Sequence, residues 1–118
     1  MEKVQRLAEL LGVKEFPPAS EPQQYMETVR KFLQGQDFMR LGHCIQGRQW
    51  HLVMNNSAKL QNHCKELGIT CFDRYIKYIR EAARRQDQGE AFQIMSRITA
   101  KRVQVRNYLA EEGDTCDM

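Results

Sequence analysis

The sequence lacks the patterns that two large structural classes require. No stretch approaches the roughly 20 consecutive apolar residues of a membrane-spanning helix. The N-terminal MEKVQRLAELLGV contains acidic residues and too short an apolar run for a signal peptide. No alternation of apolar and polar residues indicates a β-strand. We therefore expect an all-α protein of the cytoplasm, and its 118 residues are enough for one domain.

Motifs that carry catalytic chemistry are also missing. There is no Gly-rich phosphate loop, no Ser or Cys nucleophile in a recognisable setting and no carboxylate–histidine metal motif. The four cysteines lack CxxC spacing, and the side chains of the adjacent His-Cys pairs at 43–44 and 63–64 diverge by about 100° on a helix. We therefore predict no enzyme activity, no metal, no cofactor and free thiols in a reducing compartment.

Basic residues are absent from the last nine positions, where Glu111, Glu112, Asp114 and Asp117 lie. The preceding part has 18 basic and 11 acidic residues, a formal charge of +7. Solvated side chains on helices ordinarily explain such a surplus, and an acidic partner surface is the functional explanation. The basic residues between Arg74 and Arg106 lack a recognition-helix pattern, so nucleic-acid binding is not expected.

What the sequence does contain is a series of amphipathic segments with apolar residues at helical spacing. Five helices are predicted, over Glu2–Leu11, from after Ser20 to Ile45, over Trp50–Leu67, from after Thr70 to Ala83 and from after Asp87 to about Leu109. Pro17 and Pro18 indicate a connector after the first helix. Gly35 and Gly42 allow a bend or break near Gln36 in the second.

Residues with known capping preferences mark the helix ends. Gly12 and Gly68 follow the last apolar residue of the first and third helices, where a left-handed glycine often ends a helix. Capping pairs are expected to open the second, fourth and fifth helices. These pairs are Ser20 with Gln23, Thr70 with Asp73, and Asp87 with Glu90.

Short connections between long helices predict that neighbouring helices are antiparallel. The expected architecture is a single domain over 1–118, an antiparallel four-helix bundle with a short additional N-terminal helix. Residues 110–118 are expected to form an acidic tail, which can be disordered. The predicted core contains Trp50, Leu60, Leu67, Ile76, Ile79, Ile94 and Ile98.

The central helix carries the most informative pattern. The sequence AKLQNHCKELG, which begins at Ala58, resembles the central helix of histidine-containing phosphotransfer (HPt) domains. That family has a His, an apolar residue two positions later, a Lys three later, a small residue four later and a final apolar-Gly pair. Leu60 and the pair at 67–68 agree with this pattern. Ala58 stands at the phosphoacceptor position, Gln61 at the Lys position and Asn62 at the small position.

The resemblance extends over nearly the whole chain. A short first helix ends in the apolar-Gly pair at 11–12, Tyr25 and Phe32 are widely spaced on the second helix, and Trp50 opens the central one. The sequence IREAARRQD resembles the family's LExAAxxGD, with Arg80 in place of the Glu. The resemblance implies an HPt-like bundle of a bacterial two-component phosphorelay.

The chemistry of that family needs an exposed His, a cation beside it and small neighbours that let a receiver domain approach. Ala58 has no nucleophile, and Gln61 has no charge. The resemblance therefore implies a protein that binds a receiver domain or a histidine kinase without accepting phosphate. The predicted partner-binding residues are Ala58, Lys59, Gln61, Asn62 and Lys65.

Two alternatives remain open from the sequence. One is a generic helical adaptor for protein interactions, and the other is an active phosphotransfer protein that uses His51. His51 precedes Ala58 by seven residues and so lies on nearly the same helix face. A solvent-facing histidine without a role is the ordinary interpretation of His51. His63 is expected to be a partly buried packing residue, and His43 has no supporting motif.

Overall fold

The computed structural model describes residues 2–13 and 22–116, and in this part of the chain six α-helices and no β-strand occur. The helices are α1 Glu2–Leu11, α2 Pro22–Leu33, α3 Gln36–Gln46, α4 Trp50–Leu67, α5 Asp73–Arg84 and α6 Gln88–Cys116. The prediction of an all-α fold is confirmed. Among the described residues, every helix is too short or too polar to cross a membrane.

The predicted second helix is two helices, with the break at Gln34 and Gly35. The side chain of Arg102, on α6, contacts both helices at this break. The Nε and Nη2 atoms of Arg102 donate to the backbone carbonyl of Leu33, at 3.2 and 2.5 Å. The same guanidinium lies 4.2 Å from the centre of the Phe38 ring, at the start of α3. Arg102 therefore caps α2 and packs on α3 at once.

Left-handed glycines end two helices, as predicted. Gly12 after α1 has φ +72° and Gly68 after α4 has φ +73°. In each case the following residue donates to a carbonyl in the last helical turn, which is the Schellman pattern. A Cβ atom at Gly12 would lie 2.2 Å from the Thr70 hydroxyl, so this position also requires glycine for close approach.

Of the three predicted capping pairs, one is confirmed at the N-terminus of its helix. The Asp87 carboxylate accepts from the backbone N–H of Glu90 at 3.1 Å, at the start of α6. The Thr70 prediction is wrong, because α5 has no side-chain cap and begins after Phe72. The Thr70 hydroxyl instead donates to the Gly12 carbonyl at 2.7 Å and joins the end of α1 to the loop before α5. Ser20, in the third predicted pair, lies outside the described residues.

Helices α3 to α6 pack in a ring, in which α4 lies between α3 and α5, and α6 contacts both α3 and α5. Helices α1 and α2 pack against α6. Five of the seven predicted core residues are buried, and they are Leu60, Ile76, Ile79, Ile94 and Ile98. Trp50 and Leu67 are half-buried at the ends of α4 and pack against the core from its edge.

The last helix is longer than predicted. Its pattern of inward apolar residues ends with Val105 and Leu109, both buried. The backbone nevertheless continues as α-helix to Cys116, into the segment that was expected to be an acidic tail. Periodicity alone did not indicate these final turns, because residues 111–115 are polar or glycine.

Candidate functional site

The α4 face, which we define as Ala58, Lys59, Gln61, Asn62 and Lys65, lies where the predicted register of α4 places it. The seam on the other side of the helix is buried at Val53, Ser57, Leu60 and Cys64. Within the face, Lys59, Asn62 and Lys65 are exposed, whereas Ala58 and Gln61 are half-buried. Ala58 thus sits at the border between the surface and a helix contact, and is less exposed than the sequence suggested.

The half-burial of Gln61 has an identified cause. The Nη1 atom of Arg80, on α5, donates to the Oε1 atom of Gln61 at 3.5 Å. Gln61 and Arg80 are two of the positions where the chain departs from the HPt pattern, and the structure brings them into contact. Arg80 of α5 therefore places a cation beside Gln61, which lies one helical turn after Ala58.

A groove opens beside this contact and extends the α4 face onto α5. It has a volume of about 560 Å³. We call it the basic groove, and its lining residues are Gln61, Asp73, Arg74, Lys77, Tyr78, Arg80, Glu81 and Arg84. Four cations face two carboxylates there, so the groove carries a formal charge of +2. Tyr78 contributes the largest exposed apolar surface, at 42% exposure.

The electrostatics of α4 and α5 are coupled at a second point. Partial burial raises the pKa of Asp73 above its ordinary value, and the positive charge of Lys65 acts in the opposite direction. Lys65 belongs to the α4 face and Asp73 lines the basic groove. Because Gln61 belongs to both the α4 face and the basic groove, the two are continuous. The sequence predicted the α4 half, whereas the cations of α5 were expected to be solvated.

The histidines lie apart from this surface or lack supporting groups. His51 is exposed on α4 and His43 is exposed on α3. His63, which was expected to be a partly buried packing residue, has half of its side chain exposed, and its Nδ1 atom is hydrogen-bonded to the Asp37 carboxylate. The rings of His63 and Phe32 pack edge to face at 6.2 Å. His63 thus lies on the side of α4 that faces α3, whereas Gln61 lies on the side that faces α5.

The described cysteines are free thiols suited to packing and unsuited to nucleophilic chemistry. Cys44 and Cys64 are buried, and Cys71 is half-buried. Burial is the main cause that raises the pKa of both Cys64 and Cys71 to about 12. Both thiols are therefore protonated near neutral pH, whereas the reactive species is the thiolate. The described residues hold no cluster of three His, Cys, Asp or Glu side chains that could bind a metal ion.

No protein-family model, curated protein or solved structure matches the sequence. The function is therefore inferred from the chemistry of the α4 face and the basic groove. These offer cations, amides, two carboxylates and one aromatic ring, with Ala58 at their border. Such groups can bind an acidic or polar protein surface, and the residues that define the α4 face and the basic groove include no histidine.

Proposed function

We propose that this protein is a phosphotransfer-incompetent, HPt-like domain that acts in the cytoplasm by binding a receiver domain or a histidine kinase. The observation that carries the proposal is the position of Ala58. It lies at the edge of an accessible helix surface, among Lys59, Gln61 and Asn62, where the family pattern has its nucleophile. The surface is preserved as a docking face, and the phosphoacceptor is absent from it.

The arrangement of the helices supports the proposal. In our proposal α3 to α6 form an antiparallel four-helix bundle, and α1 and α2 cover α6. The connections are short, with three residues between α3 and α4 and three between α5 and α6. Short connections favour antiparallel neighbours, which is the arrangement that the resemblance implies. The central helix of the proposed bundle is α4, in contact with both α3 and α5.

The chemistry of position 58 explains why transfer is expected to fail. Phosphoryl transfer to a protein needs a nucleophilic atom held in line with the leaving group. The methyl group of Ala58 has no lone pair to offer. The Arg80 guanidinium near Gln61 can still balance negative charge on a docked partner. Binding is therefore retained in this proposal, and the covalent step is lost.

The contact between Arg80 and Gln61 guides the design of a variant that would carry a nucleophile at position 58. Replacing Gln61 by Lys would remove the hydrogen bond from Arg80 and put two cations side by side. The better design keeps Gln61 and combines Ala58→His with Asn62→Gly, which supplies the imidazole and the clearance. The matched control combines Ala58→Gln with Asn62→Gly, which has similar bulk but no nucleophile.

The experiment measures radiolabel transfer and binding with a panel of phosphorylated receivers from the same genome. We expect the native protein to bind a receiver without taking label, the A58H/N62G variant to take label, and the A58Q/N62G variant to take none. If the native protein takes label and His51→Ala abolishes this labelling, the proposal is wrong. The protein would then be an active phosphotransfer protein that uses His51. Absence of both binding and label in all three proteins would favour a generic adaptor.

A further inference from the structure

The basic groove holds cations that the protein does not neutralise. Among the described residues, Arg74, Lys77 and Arg84 have no ion pair. The contrast with the neighbouring Arg85 is direct, because Arg85 pairs with Glu90 at the start of α6. The unpaired cations recur along one side of α5, and from Arg74 to Arg84 they span about 15 Å of helix.

A second observation in the groove points to a ligand. The Nε atom of Arg80 is buried and has no hydrogen-bond partner among the described residues. A buried donor without a partner is unfavourable, because it has lost water without a replacement. Within the described part of the chain, this guanidinium makes one hydrogen bond, to Gln61, which is 3.5 Å long and therefore weak. The Nε and Nη2 atoms lie on the edge of the guanidinium away from the Nη1–Gln61 hydrogen bond. A carboxylate in the groove that accepts from both would give Nε a partner, in the fork geometry that arginine favours.

We infer that the basic groove is a docking site for an acidic segment of a partner protein, with Arg80 at its centre. The inference rests on the proposed function in that it assumes a protein partner, and it adds the chemistry of that partner. Lys77 and Arg84 flank Arg80 and complement the negative charges of the segment. Tyr78, half-exposed beside them, provides an apolar contact within the groove.

The composition of the groove favours a peptide over a nucleic acid. Asp73 and Glu81 lie among the cations, so an evenly charged phosphate backbone would meet two repelling carboxylates. Nucleic-acid sites also use several aromatic side chains for base stacking, whereas Tyr78 is the single aromatic lining residue here. A protein segment can place its carboxylates opposite Arg80 and Arg84 and leave neutral residues opposite Asp73 and Glu81.

The test uses the full chain and fluorescence anisotropy with three labelled probes, which are a decaglutamate peptide, a decaglutamine peptide and a ten-nucleotide oligothymidylate. The groove variant combines Lys77→Glu with Arg84→Glu. The matched control combines Lys31→Glu with Arg97→Glu, which changes the net charge equally at exposed positions outside the groove. Circular dichroism confirms that both variants are folded.

We expect decaglutamate to bind the native protein, to bind the groove variant at least about tenfold more weakly and to bind the control variant with little change. Decaglutamine should not bind. Equal weakening in both variants would overturn the inference, because binding would then reflect net charge alone. Absence of decaglutamate binding would overturn it as well. Tighter binding of oligothymidylate than of decaglutamate, lost in the groove variant, would assign the groove to nucleic acid.

A second copy of this chain is the remaining occupant, because its residues 111–117 are acidic. Light scattering across a concentration series measures the molar mass in solution and so tests for a dimer. If the native protein and the control variant form a dimer and the groove variant does not, the groove binds a second copy of this chain. That result would overturn the inference of a separate partner protein. Receivers that bind the native protein and the groove variant equally would leave the proposed function standing and remove this inference. If decaglutamate binds in the groove but no receiver binds the protein, the inference about the groove would stand and the proposed function would fail.

Discussion

Arg102 and Arg80 differ in how fully the protein satisfies their guanidinium groups, and this difference separates a structural role from a binding role. Arg102 donates twice to the Leu33 carbonyl and packs over the Phe38 ring, so its buried part is well partnered. Arg80 makes one long hydrogen bond, and its Nε atom has no partner among the described residues. Arg102 is therefore expected to stabilise the fold, whereas Arg80 is more readily available to a ligand.

Replacing Arg102 by Leu tests the structural role. The variant loses two hydrogen bonds to the end of α2 and a cation–π contact, and it leaves the Leu33 carbonyl without its donor. We expect the free energy of unfolding to fall by about 1–3 kcal/mol. Urea unfolding measures the change. Arg106→Leu, an exposed position one turn later on α6, is the control and should change stability by less than about 0.5 kcal/mol. If Arg102→Leu also lowers the free energy of unfolding by less than about 0.5 kcal/mol, water replaces the contacts of Arg102 and the structural role is wrong.

At the scale of the element, the helix ends follow local rules to different extents. The α6 N-terminus is capped by the Asp87 carboxylate, whereas α5 starts without a side-chain cap. An N-terminal side-chain acceptor matters because the first turn of a helix has unsatisfied N–H groups. The α5 helix is instead held through its loop, where the backbone N–H groups of Thr70 and Cys71 donate to the Leu11 carbonyl at 3.0 Å.

The Asp87 cap gives a prediction with a matched pair of substitutions. Asp87→Ala removes the acceptor for the Glu90 N–H and should lower the free energy of unfolding by about 0.5–2 kcal/mol. Asp87→Asn keeps an oxygen acceptor and should stay within a few tenths of a kcal/mol of the native protein. Thermal or urea unfolding of the two variants compares them directly. Equal losses in both variants would indicate that the charge of Asp87, and not the cap, is the contributing feature.

At the scale of the whole molecule, three buried acids link stability to pH. Burial raises the pKa of Tyr25, Cys64 and Cys71 to about 12, from ordinary values of 10.0, 9.0 and 9.0. The neutral forms are therefore favoured in the folded state more than in the unfolded chain. Their contribution to stability is fully present below about pH 9 and is lost as the pH rises from 9 towards 12.

The expected outcome is a fall in the free energy of unfolding above about pH 9, by as much as about 1.4 kcal/mol per pH unit for each thiol. Urea unfolding at several pH values between neutrality and pH 10.5 measures the slope. Cys64→Ala is less stable at neutral pH, because Cys64 is fully buried in the core, but its slope above pH 9 should be shallower. An unchanged slope in this variant would show that Cys64 does not titrate in this range.

Local patterns in the sequence predict the helical class, most helix positions and the inward faces of the helices. The seam of α4, the left-handed ends at Gly12 and Gly68 and the cap at Asp87 all follow from interactions within a few residues. Helical periodicity and capping preferences are local, so they can be read from the chain order. The α4 face lies on the side of the helix opposite this seam.

Tertiary structure alone decided which helix each long or polar side chain contacts. Arg102 reaches Leu33 across 69 positions, Thr70 reaches Gly12 across 58, and Arg80 meets Gln61 from the next helix. Local rules would have placed Thr70 on its own helix and Arg80 in solvent. A long side chain can extend in several directions, and a hydroxyl has several nearby acceptors. Only the relative placement of the helices selects one partner, and that placement turns the cations of α5 into a groove beside Ala58.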